Sequence, residues 1–568
     1  MRILQTHVDW IEYEPLEKEI KSAEEVEKKK HRMENTLVLF VSAERGDNED
    51  LVKQSVDEVK DFLGKLKCNT LLIYPFAHLS SDLAKPADAL DVLKLMESHA
   101  KKLDIDTYRA PFGWNKKMSL SIKGHPLAEQ SRHYSLREEV KKELSKPAKK
   151  EREQLSEHAM MSRIQRSDFT GLPETDHRII GEKLDLFSFQ EPSPGMVYWH
   201  DKGIKIRNIL MDFIRSELAK RNYIEVSTPA LANTVLWRVS GHWDHYQDNM
   251  FLTNLGEDEF GLKPMNCPST FMIFKSKKWS YKELPLRVAD FDQLFRNELS
   301  GVASGLFRVK ILTQDDAHIF VTEDQIESEI KEQIDLMVKM YGIFNLNYKL
   351  KISTMPDDHM GTEEQWNNAT DILKKVVKEK GIKPEIKEKE GAFYGPKIDV
   401  DIKDSMGRDW QCATIQLDFQ MPKRFKLIYI GPDGKEHTPT VIHRVIYGSL
   451  ERFIGIITEH YQGKFPLWLS PVQVRVISIS DENRNYAEGV LKSLREHGIR
   501  AEADLDSKTL EYKIRDAQMQ KLPFMVIVGG KEEIAKTIAV RSREGKVEYN
   551  IKLNDFVERI KEDSKNFK

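Results

Sequence analysis

The chain has few cysteines and almost no net charge for its length. Its three cysteines in 568 residues, Cys68, Cys267 and Cys412, lie far apart in the sequence. This scarcity excludes a disulfide framework and favours a reducing compartment, so we expect a cytoplasmic protein. The formal net charge of -3 excludes a uniformly basic nucleic-acid-binding protein. Any RNA contact must therefore come from local basic patches and shaped pockets.

Long apolar runs and internal repeats are also missing, as are low-complexity segments beyond one charged linker. No run approaches the roughly 20 apolar residues that a membrane span needs, so we expect no membrane partner. Asp9, Glu12 and Glu14 stand where a secretory signal needs an apolar stretch. Hydrophobic residues make up 40% and charged residues 32% of the chain, which suits globular domains with buried cores. The length suggests roughly three to four such domains.

Residues 1–134 have the pattern of a compact α/β domain. A helical pattern lies at Leu51–Leu66, and apolar runs predict strands at Ile3–Val8, Leu37–Val41, Leu71–Tyr74 and Ser119–Ile122. Polar residues that could carry chemistry follow these runs at His78, Lys116, His125 and Glu129. Taken one at a time, such residues are more often structural or solvated than catalytic, so the pattern alone leaves their role open.

Composition divides the rest of the chain into three parts. Residues 135–175 are mostly charged and typical of a solvated linker. Residues 176–469 predict helices at 205–221, 324–343 and 362–380, with antiparallel strands that include Ile224–Ser227, Leu346–Ile352 and Phe425–Ile430. Residues 470–568 predict a small α/β domain with a mainly parallel sheet, with strands at Val474–Ile479, Ala501–Leu505, Phe524–Val528 and Thr537–Arg541.

One stretch of the central part, Leu286–Phe320, predicts a β-hairpin with an arginine on each side of its turn. The first β-run ends at Phe295, and the second is predicted at Phe307–Leu312. Arg296 and Arg308 would then lie on neighbouring strands, where two guanidinium groups can hold a polyphosphate bidentately. A hairpin with ordinary surface ion pairs fits the same residues equally well.

A second phosphate-binding pattern closes the central part. Gly448 and Ser449 introduce a predicted helix that carries Arg452 near its N-terminus. The N-terminal end of a helix attracts a phosphate group through its dipole, and the arginine adds a full charge.

Several stretches together carry a family resemblance. Pro229, the FRNE stretch with Arg296 and Glu298, and the GSLERF stretch with Arg452 resemble the three motifs of class II aminoacyl-tRNA synthetases. The stretches SGHWDHYQDNMF, LKPMNCP, TQDDAHIF, FYGPKID and WQCATIQLDF are similar to those of threonyl-tRNA synthetases. In the N-terminal part, YPFAHLSS, LAKP, APFG and KGHPLAE resemble the editing domain of archaeal threonyl-tRNA synthetases, itself similar to D-aminoacyl-tRNA deacylases.

The resemblance implies a multidomain α/β and α+β protein. Its parts would be a deacylase-like α/β editing domain at 1–134, a class II catalytic domain on an antiparallel sheet at 176–469, and an α/β anticodon-binding domain at 470–568. The implied reaction activates L-threonine with ATP and Mg²⁺ to threonyl-adenylate and transfers it to tRNA(Thr), with editing of mischarged seryl-tRNA(Thr). The resemblance also implies a homodimer, with the helix at 205–221 and the following strand at the interface.

The resemblance assigns residues to the catalytic domain one by one. The implied ATP-binding residues are Arg296, Glu298, Arg308, Gln411, Ser449 and Arg452. The implied amino-acid-binding residues are Met265, Gln314, Asp316, Tyr394, Gln411 and Thr414. The implied catalytic residues are Arg296, Arg452, His242, Lys397 and Gln416, with His242 assisting deprotonation of the tRNA ribose hydroxyl.

Cys267, His318 and His443 match the zinc ligands of the family, with one ion per subunit. Such a set leaves a fourth position open, which is typical of a non-structural site. His242 and His245 compete as ligands by their i, i+3 spacing, but their stretch matches a different family position. Valine and threonine are so alike in shape that an apolar pocket separates them only about 10²-fold. A metal that binds the amine and the hydroxyl would exclude valine.

Serine carries the same amine and hydroxyl, so a metal cannot exclude it. The missing methyl group is worth only roughly 1–3 kcal/mol, and a second, hydrolytic site is therefore expected. By family match, His78, Lys116 and Glu129 line that site, with Lys116 positioning the water or the carbonyl. Asn115 stands where some relatives have an aromatic residue.

Glu532 and Arg541 in the C-terminal part match base-reading positions of anticodon-binding domains. Anticodon bases are unstacked in a loop, so side chains can read their edges.

Two other functions compete with this interpretation. An inactive tRNA- or mRNA-binding paralogue would be expected to lack some of the motif arginines and zinc ligands. A sister ligase for serine or proline would share the three motifs, but the zinc ligands and the TQDDAH stretch argue against it.

Overall fold

The computed structural model describes residues 1–20, 23–80, 83–124, 127–134, 169, 171–298, 305–404 and 407–568, without the side chains of His133 and His245. The chain divides into two units, residues 1–163 and 164–568. His125, most of the predicted linker and the turn at 299–304 lie outside the described residues. Within the described ranges, no helix is long and apolar enough to cross a membrane.

Two helices cover one face of a mixed sheet in the first unit. The described strands run in the order Asp106–Arg109, Thr70–Pro75, His31–Ser42, Arg2–Lys18 and Trp114–Ile122, and Glu129–His133 also pairs with Arg2–Lys18. The helices Glu49–Leu66 and Pro86–Lys102 pack on one apolar face, against Leu37, Leu39 and Ile73 among others. The predicted strands and the first helix are confirmed, and the second helix was missed.

An antiparallel sheet organises the first part of the second unit. Among the described residues its eight strands run in the order Glu385–Lys387, Tyr348–Ser353, Lys397–Lys403, Asp409–Asp418, Thr440–Val445, Asp316–Val321, Leu286–Asp290 and Ile224–Val226. Only the two edge strands pair in parallel. The predicted antiparallel central sheet is therefore confirmed.

Helices bury one face of this sheet, and the other face carries polar residues beside an apolar cluster that packs against the helix Cys267–Lys275. The long helices are Asp201–Ala219, Ile326–Ile343, Glu363–Glu379 and Leu450–His460, and the short ones include His177–Lys183 and Cys267–Lys275. In one of them, Ile326, Ile330 and Ile334 are buried at a spacing of four residues, the period of an apolar helix face. They share a core with the strand residues Ile319 and Ile415. Because strand side chains alternate, His318 and Gln416 face the other way.

The antiparallel pairing of the two sides of the predicted hairpin is confirmed, but the second β-run, predicted at Phe307–Leu312, is wrong over most of its length. Gly305–Phe307 form a 3-10 turn, and only Gln293–Phe295 and Ile311–Thr313 pair as strands. Tertiary contacts hold the backbone of this turn: the Phe307 carbonyl accepts a hydrogen bond from Arg452 Nε at 3.0 Å. A carbonyl that accepts a hydrogen bond from a side chain in this way is not paired with a neighbouring strand.

The predicted strand Phe425–Ile430 is also wrong over most of its length. The helix Met421–Arg424 ends at Phe425, and only Tyr429–Ile430 is a strand. The Leu427 N–H donates to the Pro422 carbonyl, which extends the helical turn into the predicted strand.

The last part of the second unit is a mixed sheet flanked by helices. Its described strands run in the order Ala501–Asp504, Val474–Ser478, Phe524–Val528, Ile538–Ser542 and Val547–Ile551. Its helices are Arg484–Glu496, Leu510–Met519, Gly530–Ala535 and Leu553–Lys565. Three strands are parallel and the last two are added antiparallel, so the sheet is less parallel than predicted.

Gly203 provides a test of the helix packing. It lies in the first turn of Asp201–Ala219, where an added Cβ would overlap the Leu186 carbonyl oxygen. We expect Gly203→Ala to lower the free energy of unfolding by about 1–3 kcal/mol, measured by denaturant unfolding. Gly342→Ala is the matched control because nothing lies within 4 Å of its added Cβ. It should stabilise the helix Ile326–Ile343 by about 0.5–1 kcal/mol, and equal midpoints for the two variants would contradict this packing.

Candidate functional site

A polar cavity of about 220 Å³ lies between the central sheet and the helix Leu450–His460. Its lining includes every residue predicted to bind ATP, Arg296, Glu298, Arg308, Gln411, Ser449 and Arg452, together with Gln314 and Thr414. Arg296 and Arg308 belong to the stretch Leu286–Phe320 and Arg452 to the later GSLERF stretch, and the fold brings all three to this cavity. Guanidinium groups arranged in this way suit a polyphosphate.

The helix N-terminus fixes Arg452. Ser449 is the N-cap, and its hydroxyl accepts a hydrogen bond from the Arg452 backbone N–H at 3.2 Å. The guanidinium donates from Nε to the Phe307 carbonyl at 3.0 Å and from Nη1 to the Gln411 carbonyl at 2.9 Å. These two bonds hold the group at the cavity and leave further N–H donors for a ligand.

The other two arginines differ in their surroundings. Arg308 is half exposed and pairs with Glu298, with Nη2 2.8 Å from the carboxylate. Arg296 follows the strand Gln293–Phe295, and burial lowers the pKa of its guanidinium. A bound anion would offset that desolvation, because an opposite charge favours the charged form.

Asp315 holds the turn that leads into this helix, although sequence analysis assigned it no role. Its buried carboxylate accepts the backbone N–H groups of Ile446 at 2.8 Å, Tyr447 at 2.9 Å and Gly448 at 3.1 Å. Arg444 Nη1 lies 3.3 Å from the same carboxylate. Burial raises the pKa of Asp315 to about 7, while Arg444 and the backbone bonds lower it. The alternation of TQDDAH, with Asp316 on the opposite side of the chain, was the available signal.

The register of two neighbouring strands brings two histidines together. His318 lies directly opposite His443, and their ring centroids are 4.9 Å apart. Cys267, the first residue of its helix, completes a buried group whose ligand atoms lie within 4.8 Å of one another. Neither ring nitrogen of His318 has a hydrogen-bond partner in the described part of the chain. An unpartnered imidazole beside a thiol and a second imidazole fits a zinc ion.

The surroundings of this group also suit a metal. Burial lowers the pKa of His318, which keeps its imidazole neutral and able to bind a metal, whereas burial raises the pKa of the Cys267 thiol, an effect that a bound cation would reverse. Asp418, which sequence analysis missed, lies 3.1 Å from His443 Nε2, and a carboxylate in this position orients a metal-binding imidazole. His242 is fully buried, with Nε2 4.0 Å from Cys267 Sγ and Nδ1 2.8 Å from the Ser240 hydroxyl.

Three of the residues predicted to bind the amino acid, Met265, Asp316 and Tyr394, lie near the same group. Burial raises the pKa of Asp316 to about 6, and the Asn266 side chain donates to its carboxylate at 3.4 Å. The Tyr394 hydroxyl donates to Gln416 Oε1 at 2.9 Å. Met265 packs partly buried against the apolar cluster that contains Tyr394.

Asp399 links the predicted residues Lys397, Gln411 and Thr414, although sequence analysis did not name it. Lys397 Nζ lies 2.6 Å from Asp399 Oδ2. The Gln411 side-chain amide and the Thr414 hydroxyl both donate to Asp399 Oδ1. Strand register sets Lys397 opposite Gln416, so these side chains share one face of the sheet.

The first unit contains a cavity of its own, of about 400 Å³. Its lining includes His78, Asn115 and Lys116. Lys116 Nζ donates to the Pro111 carbonyl at 2.9 Å and to the Trp114 carbonyl at 3.0 Å. Burial lowers the pKa of Lys116 to about 8.

Glu129 is not brought to this cavity. It is exposed in the strand Glu129–His133, opposite Thr6, and does not appear among the described residues of the cavity lining. A strand this short gives little periodicity, so its pairing could not be predicted from the sequence.

The two predicted anticodon-reading residues lie on different elements of the C-terminal sheet domain. Glu532 accepts a hydrogen bond from the Gly529 backbone N–H at 3.0 Å and caps the helix Gly530–Ala535. Arg541 lies in the strand Ile538–Ser542, and its buried Nε has no partner within the described residues.

Three family models match the chain in order. Residues 1–134 match the Archaea-specific editing domain of threonyl-tRNA synthetase, residues 251–461 the class II tRNA synthetase core domain (G, H, P, S and T), and residues 473–563 an anticodon binding domain. Together with the antiparallel sheet and the arginine-lined cavity, these matches define a class II aminoacyl-tRNA synthetase.

The similar proteins narrow this class further. The threonine–tRNA ligase of Acetivibrio thermocellus is 51% identical over 391 residues, which are 69% of this chain and 62% of that protein. A crystal structure of the RNA binding domain of threonyl-tRNA synthetase from Cryptosporidium parvum is 41% identical with a TM-score of 0.66, covering 68% of this chain and 98% of that one. The chain belongs to the threonyl-tRNA synthetase family. ThrRS-1 of Aeropyrum pernix is 29% identical with a TM-score of 0.61, covering 69% of this chain and 97% of that one.

Proposed function

We propose that the chain is a ligase that activates L-threonine with ATP to threonyl-adenylate, transfers it to tRNA(Thr), and hydrolyses mischarged seryl-tRNA(Thr). One observation carries this proposal. The arginine-lined cavity and the buried Cys–His–His group adjoin on one sheet, joined by the chain from Gln314 to His318. The similarity to threonine–tRNA ligases supports it.

The competing functions have less support. An inactive binding paralogue would not need three arginines at one cavity beside a complete group of metal-ligating residues. A seryl or prolyl ligase would not be expected to match an editing domain of threonyl-tRNA synthetase over residues 1–134.

In the activation step, charge neutralisation and position would do most of the work. Arg296 would hold the α-phosphate and the threonine carboxylate, Arg308 would assist on the polyphosphate, and Arg452 would bind the γ-phosphate. Glu298 would contact the adenine, and Mg²⁺ would accompany ATP. Ser449 supports this assignment because it caps the helix that carries Arg452.

Cys267, His318 and His443 would hold one zinc ion per subunit, with Asp418 orienting His443. When bound, the ion supplies ligand positions for the amine and the hydroxyl of threonine, which valine cannot complete. Asp316 would orient the substrate amine, and its burial supports that role because a carboxylate in an apolar site gains most from a cation.

The remaining residues would complete the amino-acid site. Gln314 would act with Asp316, and Met265, Tyr394, Lys397, Gln411 and Thr414 would line the same pocket. In the transfer step, His242 would assist deprotonation of the ribose hydroxyl, with Gln416 close by. The 4.0 Å separation of His242 Nε2 and Cys267 Sγ supports a place for His242 beside the amino acid.

Editing would take place in the cavity of the first unit. Lys116 would position the ester carbonyl as a cation, since its Nζ already donates to two backbone carbonyls at the cavity wall. His78 would contact the substrate. Glu129 would help His78 to hold the substrate, from an exposed position outside the described lining.

The wider setting follows from the same family. The domains would be 1–134 for editing, 135–175 as a linker, 176–469 for catalysis and 470–568 for anticodon binding, with Glu532 and Arg541 reading bases. The protein would be a cytoplasmic homodimer with the helix Asp201–Ala219 at its interface.

ATP–pyrophosphate exchange tests the activation step. We expect exchange to depend on threonine, with kcat/KM for valine about 10⁴-fold lower, because a site that binds the hydroxyl rejects an analogue without it. Exchange that serine or proline supports and threonine does not would contradict the assignment.

Arg452→Ala should raise the KM for ATP while leaving threonine binding unchanged.

Metal content tests the Cys–His–His group. We expect purified protein to carry about one zinc per chain by elemental analysis and Cys267→Ser to carry close to none, because a thiolate ligand is lost. Asp418→Asn should weaken metal binding by about 10–100-fold, since it only orients His443. Cys68→Ser is the matched control, a buried thiol of the other unit, and should keep its zinc. Loss of metal from both cysteine variants would point to a general folding defect instead.

The pH dependence of editing tests the role of Lys116. Lys116→Met should slow hydrolysis of seryl-tRNA by about 10²-fold, as loss of one positioned donor does in other enzymes. Burial lowers the pKa of Lys116 to about 8, so the amine is protonated below that pH and neutral above it. The ratio of wild-type to Lys116→Met rates should therefore be flat below pH 8 and fall above it. The exposed neighbour provides the control, Lys117→Met, which should behave as wild type. A ratio that rises above pH 8 would instead make the neutral amine the active form.

A further inference from the structure

A second buried cluster lies away from the metal-ligating group. Asp176, His177 and Glu459 offer ligand atoms within 4.8 Å of one another. The bonds of the His177 ring argue against a metal. Nδ1 lies 2.8 Å from Glu459 Oε1, and Nε2 accepts the Leu306 backbone N–H at 3.0 Å, so both ring nitrogens are already used.

The direction of these bonds fixes the ring. A backbone N–H can only donate, so Nε2 is the acceptor and Nδ1 carries the hydrogen that Glu459 receives. Glu459 Oε1 also accepts the His177 backbone N–H at 3.1 Å. Both side chains are fully buried, so neither bond competes with water.

The His177 ring packs against the 3-10 turn Gly305–Phe307, which lies between Arg296 and Arg308 in the chain. Its centroid lies 4.2 Å from that of Phe307. Gly305 has a φ of +54°, and a Cβ there would overlap His177 Nε2. A residue with a side chain would therefore be excluded by both its backbone angle and the histidine.

This turn in turn holds Arg452. The Phe307 carbonyl accepts Arg452 Nε at 3.0 Å, and the Phe307 ring lies 4.5 Å from the ring of Trp410, over which Arg452 also lies. Arg452 and Glu459 are seven residues apart on the helix Leu450–His460, close to two full turns, so they share one helix face. The turn Gly305–Phe307 is thus bonded to that helix face in two ways. Arg452 donates directly to the Phe307 carbonyl, and Glu459 holds the His177 ring that accepts the Leu306 N–H.

We propose that His177, held by Glu459, is a positioning residue for ATP: it fixes the turn Gly305–Phe307 and through it the guanidinium of Arg452. This inference rests on the proposed function, because it assigns Arg452 to the triphosphate. His177 touches neither the cavity nor the Cys–His–His group. Its effect should therefore reach ATP and leave threonine alone.

Two substitutions separate the two bonds of the ring. In His177→Gln, the side-chain carbonyl can reach the position of Nε2 and still accept the Leu306 N–H, while the bond to Glu459 is altered. In His177→Asn, the shorter amide can still donate to Glu459 from near the position of Nδ1, but it cannot reach Leu306. Both variants lose the packing of an imidazole on Phe307, so that loss is common to the pair.

We expect His177→Asn to raise the KM for ATP by about fivefold to tenfold, the cost of one hydrogen bond, with the KM for threonine unchanged. His177→Gln should raise the KM for ATP less than His177→Asn does, because it keeps the acceptor for the Leu306 N–H and loses only the bond to Glu459, and it should leave the KM for threonine unchanged. His437→Asn is the matched control, since it removes a histidine from an exposed pair with Asp433 at 2.9 Å. It should leave both constants unchanged.

A purely structural role predicts a different result. The two His177 variants would then change both KM values in parallel with their unfolding temperatures, and that outcome would overturn the proposal. Equal KM values for ATP in the two variants would overturn it as well. Isothermal titration calorimetry of ATP binding to the full chain compares the two His177 variants without requiring catalysis. If wild type shows no threonine-dependent exchange, the proposed function fails while this binding contrast still decides the role of His177.

Discussion

The buried carboxylate of Asp315 is the contact on which both halves of the site depend. It collects three consecutive backbone N–H groups, from Ile446 to Gly448, and faces Arg444. The turn Ile446–Gly448 is followed by the helix cap Ser449 and by Arg452, which lie at the arginine-lined cavity. Asp315 itself is followed by Asp316 and His318, which lie at the metal-ligating group. One carboxylate therefore sets the distance between the arginine-lined cavity and the metal-ligating group. Removing it would leave a buried arginine without its partner, a loss that commonly costs about 3–5 kcal/mol.

Sequence patterns predicted most of this architecture, because periodicity is local. Helices such as Ile326–Ile343 show their buried face as a spacing of three and four residues, and the family motifs named every arginine at the cavity. Strand register is a different kind of information. That His318 faces His443, or that Lys397 faces Gln416, depends on pairing between distant strands, and no periodicity within either strand contains it. The resemblance to a family supplied those partners where the physics of a single segment could not.

The error at Phe307 has a cause that lies outside any local pattern, which is hydrogen bonding of the backbone to distant side chains. Phe307 is aromatic and is followed by the β-branched Val309 and Ile311, a composition typical of a strand, yet its carbonyl accepts a hydrogen bond from Arg452, and His177 accepts the backbone N–H of Leu306 before it. Asp399, Asp418 and Glu459 were missed for a related reason. Each works by orienting another side chain, and a lone carboxylate in a sequence looks the same whether it orients a ligand or faces water.

The site also explains why this sheet tolerates so many desolvated ionisable groups. Burial raises the pKa of Asp290 to about 7 and of Asp316 to about 6, and it lowers the pKa values of His318 and Arg296. Burying such groups costs free energy unless a partner of opposite charge arrives. The guanidinium groups gather at the cavity, while the carboxylate of Asp316, two residues after Gln314 of the cavity lining, lies near the imidazole of His443. That arrangement of charge is complementary to an amino acid joined to a phosphate, with its cationic amine at one end and its anionic group at the other.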